Sequence, residues 1–187
     1  MKTKIITFNS TEVTHKKHIV MISIKNSILT NEEINHKIKR IAYQIYESNL
    51  NEDEVILAGI DSNGYILAKK LKNIISKISA IKPILCKVII DKKNPRNPIT
   101  TSIKAEEYAN KSVILVDDVL NSGTTLVYGV KHFLDVPLKQ FKTAVLVNRN
   151  HKKYPVKADF KGISLSTSLH EHIDVILEGK NCEAFLK

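Results

Sequence analysis

Short apolar runs of strand length alternate with stretches of helical spacing, and this alternation limits the fold more than any single residue does. VILAGI (55–60), PILCKVII (83–90), VILV (113–116) and FKTAVLVN (141–148) are strand-length runs rich in Val and Ile. Between them, Ile34, Ile38, Ile41, Ile45 and Tyr46 share one helical face, and YILAKKLKNIISKI (65–78) repeats apolar residues at helical spacing. Thr30-Asn31-Glu32-Glu33 has the spacing of a capping box, so the first helix should begin there. Residues 124–133 read as a further helix, and DSNG (61–64) as a turn. Strands separated by helices build a parallel sheet through right-handed crossovers. The expected fold class is therefore α/β, with an open, doubly wound parallel sheet.

The remaining segments fit that plan less closely. HIVMISIK (18–25) is a candidate strand, and residues 91–111, rich in Pro and polar side chains, read as a long mobile loop. KADFKG (157–162), HIDVIL (172–177) and CEAFL (182–186) break the rhythm and suggest a small antiparallel C-terminal hood.

A chain of 187 residues, 43% hydrophobic and 26% charged, suits one folded domain. It contains no apolar run of bilayer-spanning length, and MKTKIITFNSTEVTHKKH lacks a secretion signal's apolar core, so a cytoplasmic location is expected. Cys86 and Cys182 form no metal or redox motif and read as free thiols. The net charge of +10 comes mainly from lysines spread through the chain, which is compatible with an anionic ligand without identifying one.

Against that positive background, VILVDDVLNSGTT (113–125) places Asp117 and Asp118 side by side after a buried strand. Ligands in open α/β sheets bind at the carboxyl ends of the strands, so both acids should face a crevice. Gly123 permits a tight turn, and Ser122, Thr124 and Thr125 add hydroxyls beside a helix N-terminus, which suits a phosphate. Adjacent carboxylates suit vicinal hydroxyls or a divalent cation. The pattern as a whole describes a ribose phosphate site.

VILVDDVLNSGTT resembles the phosphoribosyl pyrophosphate signature of the type I phosphoribosyltransferases. ILAGIDSNGYILAKKL and AVLVNRNHKKYPVKADFKGISLSTS extend the likeness to the bifunctional pyrimidine-operon attenuator and uracil phosphoribosyltransferase proteins. The resemblance runs over residues 28–187 and leaves 1–27 as an N-terminal extension of unknown role. It implies glycosyl transfer of ribose 5-phosphate from phosphoribosyl pyrophosphate to a nucleobase, with uracil the first base to test, in pyrimidine salvage. Mg²⁺ on the diphosphate and a homodimer are also implied. By this resemblance Asp117 and Asp118 hold the ribose hydroxyls and reach the metal only through substrate oxygens. Asn121, Ser122, Gly123, Thr124 and Thr125 hold the 5′-phosphate, and Asp61, Ser62, Asn63 and Gly64 form the diphosphate turn. Arg96 lies on a loop of the type that closes over the reaction.

The chain departs from the family pattern at two positions. Asn63 stands where a basic residue is usual, and Asp61 adds negative charge beside a polyanion, which weakens the expected catalysis. Lys69, Lys70 or Arg96 are the candidate replacements. Asn121 stands where relatives acting on 6-oxopurines carry an aspartate, which argues against those bases. On the base side, Asn148 can donate and accept, and ISLSTS (163–168) supplies a facing wall. Arg149, His151, Lys152 and Lys153 form a basic cluster, but without interleaved aromatics RNA binding is not favoured. His170 and His172 read as surface histidines. The alternative to an enzyme is a catalytically weak, nucleotide-sensing regulator that binds RNA or a protein.

Overall fold

The structure is a computed structural model and describes residues 26–166 and 171–187. The candidate strand at 18–25 lies outside the described residues. In chain order, β1 (Asn26–Leu29) leads into α1 (Asn31–Glu47), β2 (Glu54–Ile60), α2 (Asn63–Ile78) and β3 (Lys82–Ile89). Then follow β4 (Thr100–Thr101), α3 (Ala105–Tyr108), β5 (Ser112–Leu120), α4 (Thr124–Phe133), β6 (Gln140–Arg149) and β7 (Phe160–Leu165). The chain closes with β8 (Ile173–Ile176) and β9 (Glu183–Leu186).

The capping box forms as its spacing predicts. The Glu33 N–H donates to Thr30 Oγ1 at 3.4 Å and the Thr30 N–H to Glu33 Oε2 at 2.9 Å. From that start α1 buries Ile34, Ile38, Ile41 and Ile45.

The main sheet has the order β4-β3-β2-β5-β6-β7, parallel throughout except for β4, which runs antiparallel to β3. The chain steps outward from β2 to β3, crosses back to β5, and continues through β6 and β7. The strand order therefore reverses between β2 and β5, the position at which doubly wound sheets bind ligands. On one face α1 and α2 bury Ile38, Leu67 and Leu71 against Leu57, Ile114 and Val116. On the other, α4 buries Leu126 and Phe133 against Ile56, Val113 and Leu115. Alternate residues of β5 thus enter opposite cores, which is why VILV is apolar at every position.

Four expectations change. β5 runs through both aspartates to Leu120 because β6 keeps pairing with it, Asp117 opposite Val145 and Leu120 opposite Asn148. Asn63 and Gly64 belong to the first turn of α2, leaving only Asp61 and Ser62 as a connection. The stretch 91–111 is not a featureless loop. The Asp91 carboxylate gathers the N–H groups of Lys93 and Asn94 and the Asn97 amide at 2.9–3.0 Å. β4 then pairs back onto Val88 and Ile89, and α3 buries Tyr108 with its ring 5.0 Å from that of Phe133. Side chain to backbone bonds organise this stretch without leaving an apolar period in the sequence.

The hood is the fourth case. HIDVIL and CEAFL form the expected antiparallel cap as β8 and β9, completed by β1 in the order β1-β9-β8. KADFKG instead contributes Phe160, Lys161 and Gly162 to β7, which pairs with β6 and covers that strand's edge. Among the described residues no helix is long and apolar enough to cross a membrane. Cys86 and Cys182 are buried and free, and burial pushes the Cys86 thiol up to about 11.

Candidate active site

Asp117 is only 5% exposed. Its Oδ1 accepts the Asp118 backbone N–H at 3.0 Å. Burial first, and the neighbouring Asp118 charge second, push its pKa up to about 8, while Lys92 acts in the opposite direction. A carboxyl group so placed is under-solvated as an anion, and ligand hydroxyls that donate to it would restore what burial removed. Asp118 is half-buried, and its Oδ2 accepts the Asn63 amide at 2.9 Å.

Immediately after β5 the chain turns into α4. Gly123 has φ 81°, and a Cβ there would lie 2.5 Å from Val156 Cγ1, so both conformation and space require glycine. Ser122 Oγ and Thr124 Oγ1 are 2.9 Å apart, and the Thr124 N–H donates to Ser122 Oγ at 3.3 Å. The N–H groups of Lys153 and Tyr154 donate to the Ser122 carbonyl at 2.8 and 3.2 Å, anchoring the turn to the segment after β6. Asp117 and residues 121–125 line a small open cleft here. The N–H groups at the start of α4 and the turn's hydroxyls make this cleft a natural anion site.

The connection from β2 to α2 lies against the same two acids. A Cβ on Gly64 would lie 2.8 Å from the Val116 carbonyl oxygen and 3.1 Å from Asp117 Oδ1, so glycine is what lets α2 rest on β5. Asn63 Nδ2 donates to Asp118 Oδ2 at 2.9 Å and to the Val175 carbonyl of β8 at 2.8 Å, tying the turn to the acids and to the hood. The residue in place of a cation thus has a definite structural task. Asn63→Ala, which deletes both bonds, is expected to lower stability by about 1–2 kcal/mol, read as a lower urea midpoint. Asp61 is not an uncompensated charge, because Lys87 Nζ lies 2.9 Å from its Oδ1. That lysine holds the Asp61 carboxyl below its ordinary range.

Near the end of β6, Asn148 is 5% exposed and donates to Ser164 Oγ at 3.1 Å, while its Oδ1 is buried without a hydrogen bond partner. Arg149 is turned inward at 3% exposure and donates to Asn121 Oδ1 at 3.1 Å. This divides the basic cluster expected from sequence, because only Lys152 and Lys153 of that group are exposed. Residues 167 and 168 of the facing wall, and His170, lie outside the described residues, while His172 is exposed.

The structure brings together Asp117, Asp118, the 121–125 turn and Asn63-Gly64, with Arg149 behind Asn121. Arg96 stands exposed on the 91–99 loop, and Lys69 is occupied 4.6 Å above the Tyr65 ring. The cation that acts on Asp117 is instead Lys92, and the one paired with Asp61 is Lys87, neither singled out from the sequence. For Lys87 a signal existed, since it is the one charged residue within PILCKVII.

Paired acids and a Gly-Thr-Thr turn at the switch point of a doubly wound sheet define the class: an α/β protein built like the enzymes that handle phosphorylated sugars. The model of the phosphoribosyl transferase domain matches residues 25–178, and the chain belongs to that family. It is 35% identical over 167 residues to the bifunctional protein PyrR of Fusobacterium nucleatum, covering 84% of this chain and 94% of the relative. It is 32% identical over 163 residues to the PyrR of Macrococcus caseolyticus, covering 82% and 92%. Among solved structures, the hypoxanthine phosphoribosyltransferase of Trypanosoma cruzi superposes with a TM-score of 0.70 at 16% identity, covering 85% of this chain and 95% of the other. A hypoxanthine-guanine phosphoribosyltransferase of Bacillus anthracis gives 0.66 at 21% identity, covering 78% and 85%. At those identities the structural likeness establishes the fold, and the sequence matches establish the family.

Proposed function

We propose that the chain transfers ribose 5-phosphate from phosphoribosyl pyrophosphate to a pyrimidine base, uracil first, releasing diphosphate. The observation that carries this reading is the meeting of Asp117 and Asp118 with two turns, 121–125 and 61–64, at the point where the strand order reverses. One turn suits the 5′-phosphate and the other the diphosphate, with the acids between them positioned for the ribose hydroxyls. The reacting sugar develops cationic character, so the protein mainly has to orient it, keep water out and stabilise the leaving group.

In this assignment Asp117 and Asp118 accept from the ribose hydroxyls, and Ser122, Thr124, Thr125 and the α4 N–H groups hold the phosphate. Asn121, held by Arg149, shapes that turn. Asn148, at the end of β6, is assigned to the base side of the site. Arg96 is assigned to loop closure. The transferase domain spans 28–187 and follows the N-terminal extension.

The donor set fits Mg²⁺ as a companion of the substrate. Among the described residues no group of three or more His, Cys, Asp or Glu side chains is placed to hold a cation, so Asp117 and Asp118 would reach the ion through substrate oxygens. When bound, Mg²⁺ neutralises charge on the diphosphate. A cytoplasmic homodimer completes the reading, and sedimentation showing only monomer counts against the dimer. The regulator alternative loses its main support, because Asn63 is hydrogen-bonded into the site and Arg149 is unavailable to a surface patch.

The test is Mg²⁺-dependent diphosphate release with uracil, adenine, guanine, hypoxanthine, xanthine and orotate in parallel. Release with uracil, lost in the Asp117→Asn, Asp118→Asn double variant, is expected. No release with any base overturns the enzymatic reading.

A further inference from the structure

The connection between β2 and α2 already contains an anion. Asp61 Oδ1 accepts the Ser62 backbone N–H at 2.7 Å and lies 2.9 Å from Lys87 Nζ. One carboxylate oxygen therefore occupies a donor of the turn and its nearest cation together. Burial does not lock the pair, since the Lys87 and Asp61 side chains remain 39% and 48% exposed. Lys87 reaches the turn from β3, with its ammonium 6.0 Å from the Tyr65 ring centre. Lys92, just beyond β3, adds a positive charge that acts on both Asp61 and Asp117. Asn63 has its amide committed to Asp118 and Val175, so it is not the group that meets an incoming anion.

We propose that Asp61 is a tethered competitor for the diphosphate end of the substrate, and that Lys87 is the cation it yields when that ligand binds. The inference rests on the phosphoribosyl pyrophosphate reading above and identifies which residues of this chain set the ligand's affinity. An attached carboxylate acts at a high effective concentration, so an incoming anion must displace it from both the Ser62 N–H and Lys87. A diphosphate carries more charge and more acceptor oxygens than one carboxylate, so it prevails at a reduced apparent affinity. The tether also keeps Lys87 over the turn in the ligand-free protein.

The experiment is calorimetric titration of the full chain with magnesium diphosphate and with phosphoribosyl pyrophosphate at fixed ionic strength. Asp61→Ala should bind both about tenfold more tightly, a gain that misfolding cannot produce. Asp61→Asn, which keeps an acceptor for the Ser62 N–H but loses the charge, should show a smaller gain. Lys87→Met should bind about tenfold more weakly, and adding Asp61→Ala to it should recover little. Unchanged or weaker binding in Asp61→Ala, or unchanged binding in Lys87→Met, overturns the roles given to these residues while leaving the site reading in place. No binding of either ligand by the full chain and by Asp61→Ala alike overturns the site reading itself, and this proposal with it.

Discussion

Replacing Asp117 and Asp118 together with asparagine should weaken phosphoribosyl pyrophosphate binding about tenfold or more, because each charge-assisted bond contributes about 1.5–3 kcal/mol and neighbouring effects do not add fully. Transfer to the base should fall further, since these groups orient the sugar as well as bind it. Calorimetry and diphosphate release measure the two losses separately, and unchanged affinity would sink the assignment. The single change Asp117→Asn has an opposite effect on the ligand-free protein. Its carboxyl is raised from its ordinary value to about 8, chiefly by burial. The native state therefore keeps a proton that the unfolded chain releases above about pH 4. Stability from this group is fully present below the unfolded pKa and is lost as pH rises towards 8 and beyond. Asparagine does not titrate, so Asp117→Asn should melt several degrees above the parent at pH 9 and close to it at pH 5, corresponding to about 1–3 kcal/mol at the higher pH. A protein that becomes more stable as it loses its ligand has a site kept at the expense of folding.

Gly64→Ala is the second large expected effect. The added methyl would meet the Val116 carbonyl oxygen at 2.8 Å and both Asp117 Cα and Oδ1 at 3.1 Å. Two of those three atoms are backbone of a central strand, and the third, Asp117 Oδ1, is held in place by the Asp118 N–H. The start of α2 must therefore move away from β5, taking Asn63 off Asp118. Overpacking of this kind costs about 1–3 kcal/mol. In a chain of this size that is a drop of roughly 2–12 °C in Tm. Displacing the turn by about an ångström should reduce transfer about a hundredfold. Activity near that of the parent would mean that the close approach of α2 to β5 does not set the geometry of the site.

Much of the fold is legible in the chain because it depends on local periodicity. The capping box at Thr30, the apolar face of α1, the helix 124–133 and the strands through VILAGI and VILV all follow from spacing that neighbouring residues enforce. Asp117, Asp118 and the 121–125 turn were legible for a similar reason: they are contiguous, and a strand followed by a glycine turn and a helix places them at one edge. Where contacts arise between distant segments, legibility fails. Asn63 reads as a missing cation until its amide is seen on Asp118 and Val175, 55 and 112 residues away. Arg149 belongs to a basic cluster in sequence and to the Asn121 turn in space. Asp61 reads as a misplaced charge, and only the register of β2 beside β3, with Ile60 opposite Val88, explains how Lys87 reaches it.

The sequence by itself determined the strands β2, β3, β5 and β6, the helices α1, α2 and α4, the parallel sheet and the turn at 121–125, because each is written in residues close enough to constrain one another's backbone. Tertiary structure decided the charge balance of the 61–64 turn, the protonation of Asp117, the place of residues 160–165 in the main sheet and the partners of Asn63 and Arg149. These depend on burial and on distances across strands and between layers, and Coulomb and hydrogen bond energies change over a few ångströms that no linear spacing records.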